Sequence, residues 1–409
     1  MLTVISAQER EASVARLSFS LIIIILIPIF STLVNDMPKR LDRRQFLKHG
    51  SAAALGFSTF SLVSLGYTRR ASGQLKLNVP PENIIADLET QIPALMRKAV
   101  VPGLSLALIR DGEIAWSQGF GVKNTSNSQP VDTNTVFMSA SLSKPLFAYA
   151  VLKMVELGEL DLDQPLTAYT AKPYISDPRI QLITARMVLS HTTGFPNWSG
   201  NDPVWINHTP GTRFGYSGEG YIYLQKVVEQ ITGQPLGEYM SSYCLAPLGM
   251  NSSSYVWRES YDWLAANGHD RQGNSQALRK PTEALSAGSL RTTATDFAKF
   301  LIAMMQSGTK DRPQLTAETV AQMLQPQAKI NQSLSWGLGW GLEDTPDGDF
   351  FWHWGDSTGF KSFTVASRNL KTGMVLLTNG QNGLRICKEI VLRSIGGQHP
   401  AFDFDMISY

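Results

Sequence analysis

Two residue pairs in this chain have the spacing of a serine beside its own base. Ser141 and Lys144 stand three residues apart in MSASLSKPLF, and Ser307 and Lys310 repeat that spacing in QSGTKDRPQ. A serine hydroxyl is a poor nucleophile until a neighbouring base accepts its proton. Lysine can be that base when burial or a nearby cation suppresses its charge. Either pair could therefore attack a carbonyl carbon, and the surrounding residues must distinguish them.

The surroundings favour Ser141 and Lys144. Residues three apart share one face of a helix, and Pro145 is tolerated only in a first helical turn. We therefore expect a helix that begins near Ser141, with the serine oxygen at the positive end of the helix dipole. Ser307 and Lys310 lie in a helix exit that contains Gly and Pro, where nothing would bury the lysine. We interpret that second pair as a coincidence.

The elements around the first pair predict a sheet built from both ends of the folded chain. Asp111-Gly112 joins two apolar-rich segments, which is a strong hairpin signal. A helical pattern follows Ser141, residues of about 160–330 are mostly helical and loop-rich in pattern, and strand patterns return before a closing helix. We therefore expect an α/β (α+β) fold, an antiparallel sheet flanked by helices with an inserted all-helical lobe at about 160–330.

The first part of the chain, residues 1–74, differs in kind from the folded part, residues 75–409. Residues 17–35 carry no charge and are long enough to span a bilayer. The segment RRQFLK that follows resembles the twin-arginine export signal of bacteria, apart from the aspartate before it. Either a membrane anchor precedes the signal, or translation begins at Met37, which we favour. Both alternatives predict export, with membrane contact only through the N-terminal segment.

The composition argues against several classes of function. The net charge is +2 and the basic residues are scattered, so no nucleic-acid partner is expected. The six histidines lack the spacing of metal ligands, so we expect no metal and no cofactor. Cys244 and Cys387 could form a disulfide, but we favour two buried free thiols. The sequence leaves the oligomeric state open.

The order of hairpin, S-x-x-K helix, helical segment and terminal strands resembles the serine β-lactamase and penicillin-binding-protein superfamily, in its class C β-lactamase, DD-peptidase and esterase branch. The resemblance runs from about Pro102 to Gly383. It is carried by the segments ITARMVLSHTTGFP, PGTRFGYSGEGYIYLQKVVEQITG, PLGM and SAGSLRTTATDFAKFL. It implies the serine β-lactamase/DD-peptidase-like fold and a hydrolase that forms a covalent acyl-enzyme on Ser141.

The family's second motif, Tyr-x-Asn, appears here as Tyr216-Ser217-Gly218. The resemblance implies that Tyr216 and Lys144 together take the proton from Ser141 and deliver it to the leaving group, with the lysine ammonium favouring the phenolate. In the family, the asparagine orients the lysine and binds the acylamino side chain of β-lactams and peptides. Gly218 makes neither contact, which puts β-lactamase and peptidase activities in doubt and leaves esters favoured.

The family's third motif, Lys/His-Thr-Gly on a strand beside the site, has two candidates. His353-Trp354-Gly355 is followed by two more strands and the closing helix, as in the family. The literal match at Lys371 lies in what the pattern predicts to be a hairpin turn. We therefore expect His353 to face the oxygen atoms of the substrate and to help polarise Tyr216.

The resemblance also implies the groups around the reacting carbonyl. Family analogy gives an oxyanion hole of two backbone N–H groups, those of Ser141 and Asp356. We expect Trp198 and Trp354 to be the candidates for the wall of an apolar acyl pocket. His191 is expected to be structural, bonded to neighbouring backbone.

Together these features predict an exported serine hydrolase that cleaves a small-molecule ester with a hydrophobic or small acyl group. The first alternative is a DD-peptidase or β-lactamase acting on cell-wall-like amides. An alternative of another class is a catalytically silent penicillin-recognising or scaffold protein, which Gly218 keeps open.

Overall fold

The structure, a computed structural model, describes residues 74–306 and 314–407. The apolar stretch 17–35, the twin-arginine-like segment and the pair Ser307 and Lys310 lie outside those residues. Within the described ranges, no helix combines the length and the apolar character that a membrane span needs.

Eleven strands form a large sheet and a small one in the described residues. The strands are β1 Gly103–Arg110, β2 Glu113–Asn124, β3 Gln129–Pro130, β4 Phe137–Met138, β5 Arg291–Thr292, β6 Ala328–Lys329, β7 Leu334–Trp336, β8 Gly341–Thr345, β9 Gly348–Ser357, β10 Phe360–Ser367 and β11 Thr372–Thr378. Nine of them make one sheet in the order β3-β2-β1-β11-β10-β9-β8-β7-β6, while β4 pairs with β5.

Nine α-helices accompany these strands in the described ranges. They are α1 Pro81–Ala99, α2 Ser143–Glu156, α3 Ala185–Leu189, α4 Gly218–Thr232, α5 Leu236–Met240, α6 Tyr261–Leu264, α7 Ala294–Met305, α8 Ala317–Met323 and α9 Leu384–Ser394. Short 3-10 turns occur at Ala140–Leu142, Leu166–Tyr169, Pro178–Leu182 and Pro400–Asp403.

The sheet joins the two ends of the described chain, as the sequence predicts. Strand β1 pairs antiparallel with β11, with Leu104 opposite Thr378. The predicted hairpin at Asp111-Gly112 connects β1 to β2, and both turn residues have positive φ, 53° and 77°. Such a turn matches the twist of the flanking strands. The predicted fold class, an antiparallel sheet flanked by helices, is therefore confirmed.

Helices cover both faces of the sheet, so its central strands are apolar on both sides. Leu106 of β1 faces a core that contains Leu88 of α1 and Ile390 of α9. The next residue, Ala107, faces the opposite core, which contains Phe297 of α7. Burying one such large side chain contributes roughly 1.5–3 kcal/mol. The site is therefore built on a rigid sheet with a core on each face.

The predicted insertion, residues of about 160–330, contains six of the helices. It is not entirely helical, because β5 lies within it and pairs with β4. In addition, α7 packs on β1 and β11 rather than apart from the sheet. The exact boundary of a separate lobe stays a prediction. Cys244 and Cys387 are both buried and free, which confirms the interpretation favoured from the sequence.

Candidate active site

A sharp turn between β4 and α2 presents Ser141. Ala140 has a φ of 49°, a left-handed conformation that costs free energy in a non-glycine residue. The 3-10 turn Ala140–Leu142 leads into α2, which begins at Ser143, two residues later than the sequence suggested. Ala140 and Leu142 are buried while Ser141 is partly exposed. The turn therefore offers the Ser141 hydroxyl to a substrate.

Buried hydrogen bonds hold this turn in its strained shape. Ser143 Oγ donates to the Ala140 carbonyl at 2.6 Å and accepts from the Leu290 N–H at 3.0 Å. The Tyr255 hydroxyl donates to the Ser143 carbonyl at 2.7 Å. On the other side, Ser139 Oγ donates to the Leu290 carbonyl at 2.9 Å. These bonds fix the backbone before and after the nucleophile, so the strain at Ala140 is compensated locally.

Lys144 lies directly beneath Ser141 and is completely buried. Its Nζ donates to Ser141 Oγ at 3.0 Å and to the Ala287 carbonyl at 2.7 Å. None of the ion pairs in the described part of the chain includes this lysine. Burial therefore lowers the pKa of Lys144 from 10.5 to about 7. A substantial fraction of Lys144 is then neutral at physiological pH and can accept a proton.

Three aromatic rings surround the Lys144 amine. Its Nζ lies 5.8 Å from the ring centroid of Trp198, 5.0 Å from that of Tyr216 and 5.7 Å from that of Tyr221. Ring faces stabilise a nearby ammonium to a limited extent and exclude water. These three rings therefore keep water away from the Lys144 amine and also give it weakly stabilising contacts.

Tyr216 is nearly buried, and its hydroxyl lies near the Ser141 hydroxyl without the geometry of a full hydrogen bond. Burial raises the pKa of Tyr216 above its ordinary value, and the neighbouring Ser141 hydroxyl opposes that shift. The sequence-based expectation was that the lysine would favour the phenolate. The structure differs because desolvation outweighs that effect and because Lys144 itself approaches neutrality. Tyr216 is thus a proton donor and Lys144 the better base.

The backbone beside Tyr216 is held by His191, as expected. His191 Nδ1 accepts a hydrogen bond from the Ser217 N–H at 3.1 Å, and its ring lies 4.2 Å from that of Tyr216. Ser217 Oγ caps α4 by accepting from the Gly220 N–H at 2.9 Å and donates to the Pro196 carbonyl at 2.7 Å. Burial lowers the pKa of His191 well below its ordinary value, so the ring is neutral. Its contacts are those of a positioning residue.

Gly218, the departure from the family motif, packs under Trp198. A Cβ at position 218 would lie 2.7 Å and 2.8 Å from two carbons of the Trp198 indole and 2.9 Å from the Asn197 carbonyl oxygen. The Gly218 N–H donates to that same carbonyl at 2.9 Å. Trp198 nonetheless remains 48% exposed. The indole thus takes the space beside Lys144 that a side chain at position 218 would need.

His353 and Trp354 are more deeply buried than their expected roles require. His353 is fully buried, and its Nδ1 contacts the Trp354 carbonyl at 2.7 Å while Nε2 has no partner among the described residues. Burial lowers the pKa of His353 to about 3, so it is neutral. Trp354 is 3% exposed and packs against Phe404. Neither side chain reaches the surface, because Phe404 of the C-terminal segment packs on Trp354 and the rings of Trp336 and Trp340 pack around His353. Tyr216 packs on both.

Gly355 brings β9 against the nucleophile turn. The pairing of β8 with β9 ends at Gly341 and Trp352, so the last residues of β9 pair only with β10. A Cβ on Gly355 would overlap the Ser139 carbonyl oxygen and Ser362 Oγ. The free edge of β9 therefore lies beside the turn that carries Ser141, the place where a second oxyanion-hole N–H is required.

Asp356 follows Gly355 on this free edge. Its side chain does not serve the site, because Oδ1 accepts a hydrogen bond from Lys361 Nζ at 2.7 Å. Lys361 also donates to the Ser357 carbonyl at 3.0 Å, and its own side chain is buried. These bonds fix the end of β9 and leave the backbone N–H of Asp356 as the expected contribution of this residue.

The literal Lys-Thr-Gly match, Lys371 to Gly373, lies where β10 turns into β11. Lys371 has a φ of 48° and is exposed in the turn between β10 and β11, as predicted. Two contacts were missed at the sequence level, the Ala287 carbonyl on Lys144 and the Ser362 hydroxyl, which donates to the Ser139 carbonyl at 2.9 Å. Ala287 lies in SAGSL, a segment that carries the family resemblance, so its contact with Lys144 could have been expected from the sequence. Nothing in the sequence pointed to the contact of Ser362.

The assembled groups have the chemistry of acyl transfer. The partly exposed Ser141 hydroxyl has three kinds of group around it: the buried Lys144 amine of lowered pKa, the protonated Tyr216 and the free edge of β9. Among the residues that the structure describes, no three His, Cys, Asp or Glu side chains are grouped so as to hold a metal ion.

Known proteins resemble this chain in sequence. A profile of the beta-lactamase family matches residues 88–389. Esterase EstB of Burkholderia gladioli is 28% identical over 232 residues, which are 49% of this chain and 59% of that protein. Penicillin-binding protein 4 of Amycolatopsis lactamdurans is 27% identical over 325 residues, or 72% of this chain and 85% of that protein.

Solved structures share the fold. A class C beta-lactamase superposes with a TM-score of 0.68 at 20% identity, covering 79% of this chain and 99% of the other. The beta-lactamase/D-alanine carboxypeptidase from Pseudomonas syringae gives 0.69 at 19% identity, covering 76% and 98%. At such identities the likeness shows the fold alone. The chain spans 59% of the length of EstB and 62% of that of Protein flp from Staphylococcus aureus.

Proposed function

This chain belongs to the beta-lactamase family, and we propose that it is a serine hydrolase that cleaves carboxylic esters through a covalent acyl-enzyme on Ser141. One observation carries the proposal. The fully buried Lys144 lies 3.0 Å from Ser141 Oγ, and its pKa is lowered to about 7. A partly exposed hydroxyl in contact with a neutral amine is an activated nucleophile, because the amine can accept its proton.

The reaction follows from the roles of these groups. Neutral Lys144 takes the proton of Ser141 as Oγ attacks the ester carbonyl carbon, and the oxyanion accepts hydrogen bonds from the backbone N–H groups of Ser141 and Asp356. As the C–O bond breaks, Tyr216 gives its proton to the leaving alkoxide and regains one from the Lys144 ammonium. A water molecule, deprotonated by Lys144, then attacks the acyl carbon; the bond to Ser141 Oγ breaks, the acid leaves, and Oγ takes the proton back from the Lys144 ammonium.

The packing of Trp198 on Gly218 supports esters over acylamino amides. Position 218 offers no side chain to bind an acylamino group, and the indole fills the space beside it. The exposed part of Trp198 is an apolar surface close to the reacting pair, suited to an alkyl or aryl group of the substrate. Esters also need no protonation of an amide nitrogen. EstB, a relative over about half of this chain, is named an esterase.

A second candidate, cleavage of a β-lactam or a D-alanyl peptide, is supported by the similarity to penicillin-binding protein 4 over 72% of this chain. The same nucleophile and base would serve it. A catalytically silent penicillin-binding or scaffold protein would keep the fold and lose turnover.

The proposal is tested with the full chain and its Ser141→Ala variant. We expect a fluorophosphonate probe to label the wild type and Ser307→Ala, and not Ser141→Ala. We also expect p-nitrophenyl butyrate to be hydrolysed at least tenfold faster, in kcat/KM, than nitrocefin. Faster nitrocefin hydrolysis would reverse the ranking of esters and amides. Absence of both labelling and hydrolysis would refute an enzyme altogether.

We further propose that the protein is exported, on the strength of the twin-arginine-like segment. Cell fractionation is expected to find it outside the cytoplasm. Mass spectrometry of the mature protein would distinguish the two N-terminal alternatives, because a peptide from residues 1–36 is produced only if translation starts at the first methionine.

A further inference from the structure

Arg291 is a buried cation that has no acidic partner in the described part of the chain. The residue is 5% exposed. Its Nη2 donates to the Arg279 carbonyl at 2.8 Å, while Nη1 has no partner there. The ion pairs in residues 74–306 and 314–407 all involve other side chains. Burying an unpaired guanidinium is costly, so its position calls for a reason.

The Arg291 side chain is held in one place by its surroundings. Strand β5 pairs Arg291 with Met138 of β4, and backbone hydrogen bonds in both directions join it to Ser254. The guanidinium lies 5.2 Å from the ring centroid of Trp257. Burial lowers the pKa of Arg291 to about 10, so the group stays charged at neutral pH. The result is a preorganised positive charge.

A small cavity lies against this charge. Its volume is about 30 Å³; Arg291, Arg279, Ser357, Thr358 and Gln276 are its polar lining residues, and the other lining residues are apolar or glycine. A space of this size holds a water molecule or one small planar polar group. Two of the polar lining residues, Arg279 and Thr358, are exposed at the surface. No acidic side chain is among the lining residues.

The cavity is close to the nucleophile. Met138, which also lines it, precedes Ser141 by three residues, and Ser357 directly follows Asp356 on β9. Three residues span at most roughly 10 Å. A group bound in the cavity could therefore belong to the same substrate molecule whose carbonyl carbon lies at Ser141.

We propose that this cavity is a carboxylate-binding subsite, so that the enzyme prefers esters whose acyl chain ends in a carboxylate, the monoesters of dicarboxylic acids. A carboxylate matches the planar fork of the guanidinium and would neutralise a charge that the protein leaves unpaired. Ser357 and Thr358 offer hydroxyl donors to its second oxygen. The choice of ester as the reacting group rests on the proposed function, whereas the binding of the carboxylate does not.

The kinetic test compares monoethyl adipate with ethyl hexanoate, which differ chiefly in the terminal group. We expect the wild type to favour monoethyl adipate by at least tenfold in kcat/KM. Arg291→Gln should remove that preference while hydrolysis of ethyl hexanoate stays within about twofold. Lys280→Gln is the matched control, because Lys280 lies 5.3 Å from the same Trp257 ring, is exposed and is paired with Asp262. It should keep the preference.

Equal kcat/KM for the two esters in the wild type, or an equal loss of both in Arg291→Gln, would overturn the subsite. Arg279→Gln, at an exposed lining residue, gives a second variant if Arg291→Gln fails to fold, and it should weaken the preference at least threefold.

A binding measurement separates this inference from the proposed function. Calorimetric titration of the Ser141→Ala protein with adipate should show binding that Arg291→Gln, combined with Ser141→Ala, weakens at least tenfold. Binding without hydrolysis of either ester by the wild type would refute the ester proposal and support the subsite. Absence of adipate binding would refute the subsite, whatever the esterase activity.

Discussion

The indole of Trp198 lies where a side chain at position 218 would have to stand, with two of its carbons 2.7 Å and 2.8 Å from the site of a Cβ on Gly218. The same indole is one of the rings around the amine of Lys144. A substitution at either position 198 or position 218 therefore changes the space next to the Lys144 amine, so the effects of the two substitutions should depend on each other.

This coupling predicts that Gly218→Asn impairs ester hydrolysis by displacing the indole. We expect kcat/KM for p-nitrophenyl butyrate to fall at least tenfold in Gly218→Asn, since the added side chain overlaps Trp198. Trp198→Ala should raise KM about tenfold by removing an apolar wall. The double variant should lose less than the two single losses combined, whereas additive effects would refute the coupling. Trp205→Ala, a half-exposed tryptophan in the same loop, is the control.

The lowered pKa of Lys144 predicts an acidic limb in the pH profile. Only the neutral amine accepts a proton, so kcat/KM should rise with pH through about 7 and then level off. Lys144→Ala should reduce kcat by a factor on the order of 10³ or more, and Lys144→Arg should not restore it because its guanidinium stays protonated. A profile that is flat from pH 5.5 to 8.5 would show that another group is the base.

The raised pKa of Tyr216 predicts that Tyr216→Phe keeps that acidic limb. Because the tyrosine donates its proton, its removal should lower kcat by about 10²–10⁴-fold without moving the limb near pH 7. Measuring the pH dependence of kcat/KM in the variant checks this. Disappearance of the limb in Tyr216→Phe would instead show that the tyrosine takes part in accepting the proton, as the resemblance implies for Tyr216 and Lys144 together.

Burial of Lys144 predicts that activity and stability conflict at this position. Between about pH 7 and 10.5 the unfolded chain binds a proton that the folded chain does not, so the free energy of unfolding should rise with pH over that range. Below pH 7 the folded state carries the full cost of a buried ammonium. Lys144→Met should therefore be more stable than the wild type at pH 6, by on the order of 1–4 kcal/mol.

Urea denaturation of both proteins at pH 6 and pH 10 measures this difference. The gain from Lys144→Met should shrink as the pH rises. A variant that is less stable than the wild type at pH 6 would mean that the bonds to Ser141 and Ala287 outweigh desolvation.

The close approach of β9 to the nucleophile turn predicts that Gly355→Ala is severe. The added methyl group would overlap the Ser139 carbonyl and Ser362 Oγ, so the strand must move away from the turn. We expect kcat to fall at least 100-fold and the free energy of unfolding by about 1–3 kcal/mol. Gly288→Ala is the matched control, since a Cβ there meets no atom within 4 Å. Wild-type activity in Gly355→Ala would refute this arrangement.

Much of this protein could be predicted from local pattern. The Asp111-Gly112 hairpin, the helix after Pro145 and the two strands that follow His353 depend on turn chemistry and periodicity, which act over a few residues. The order of these elements was enough to indicate the family and the antiparallel sheet. The helix start was misplaced by two residues because the 3-10 turn at Ala140–Leu142 depends on hydrogen bonds to Leu290, far away in the chain.

The protonation states and the shape of the site were decided by tertiary structure. Desolvation depends on what packs around a group, so no spacing could show that Lys144 approaches neutrality while Tyr216 resists ionisation. Burial of Trp354 likewise depends on Phe404 of the C-terminal segment, and burial of His353 on the rings of Trp336 and Trp340. The sequence determined that a lysine stands three residues after Ser141 and that position 218 lacks a side chain; only packing decided that Trp198 occupies that space, because contacts between residues 20 apart are set by the fold.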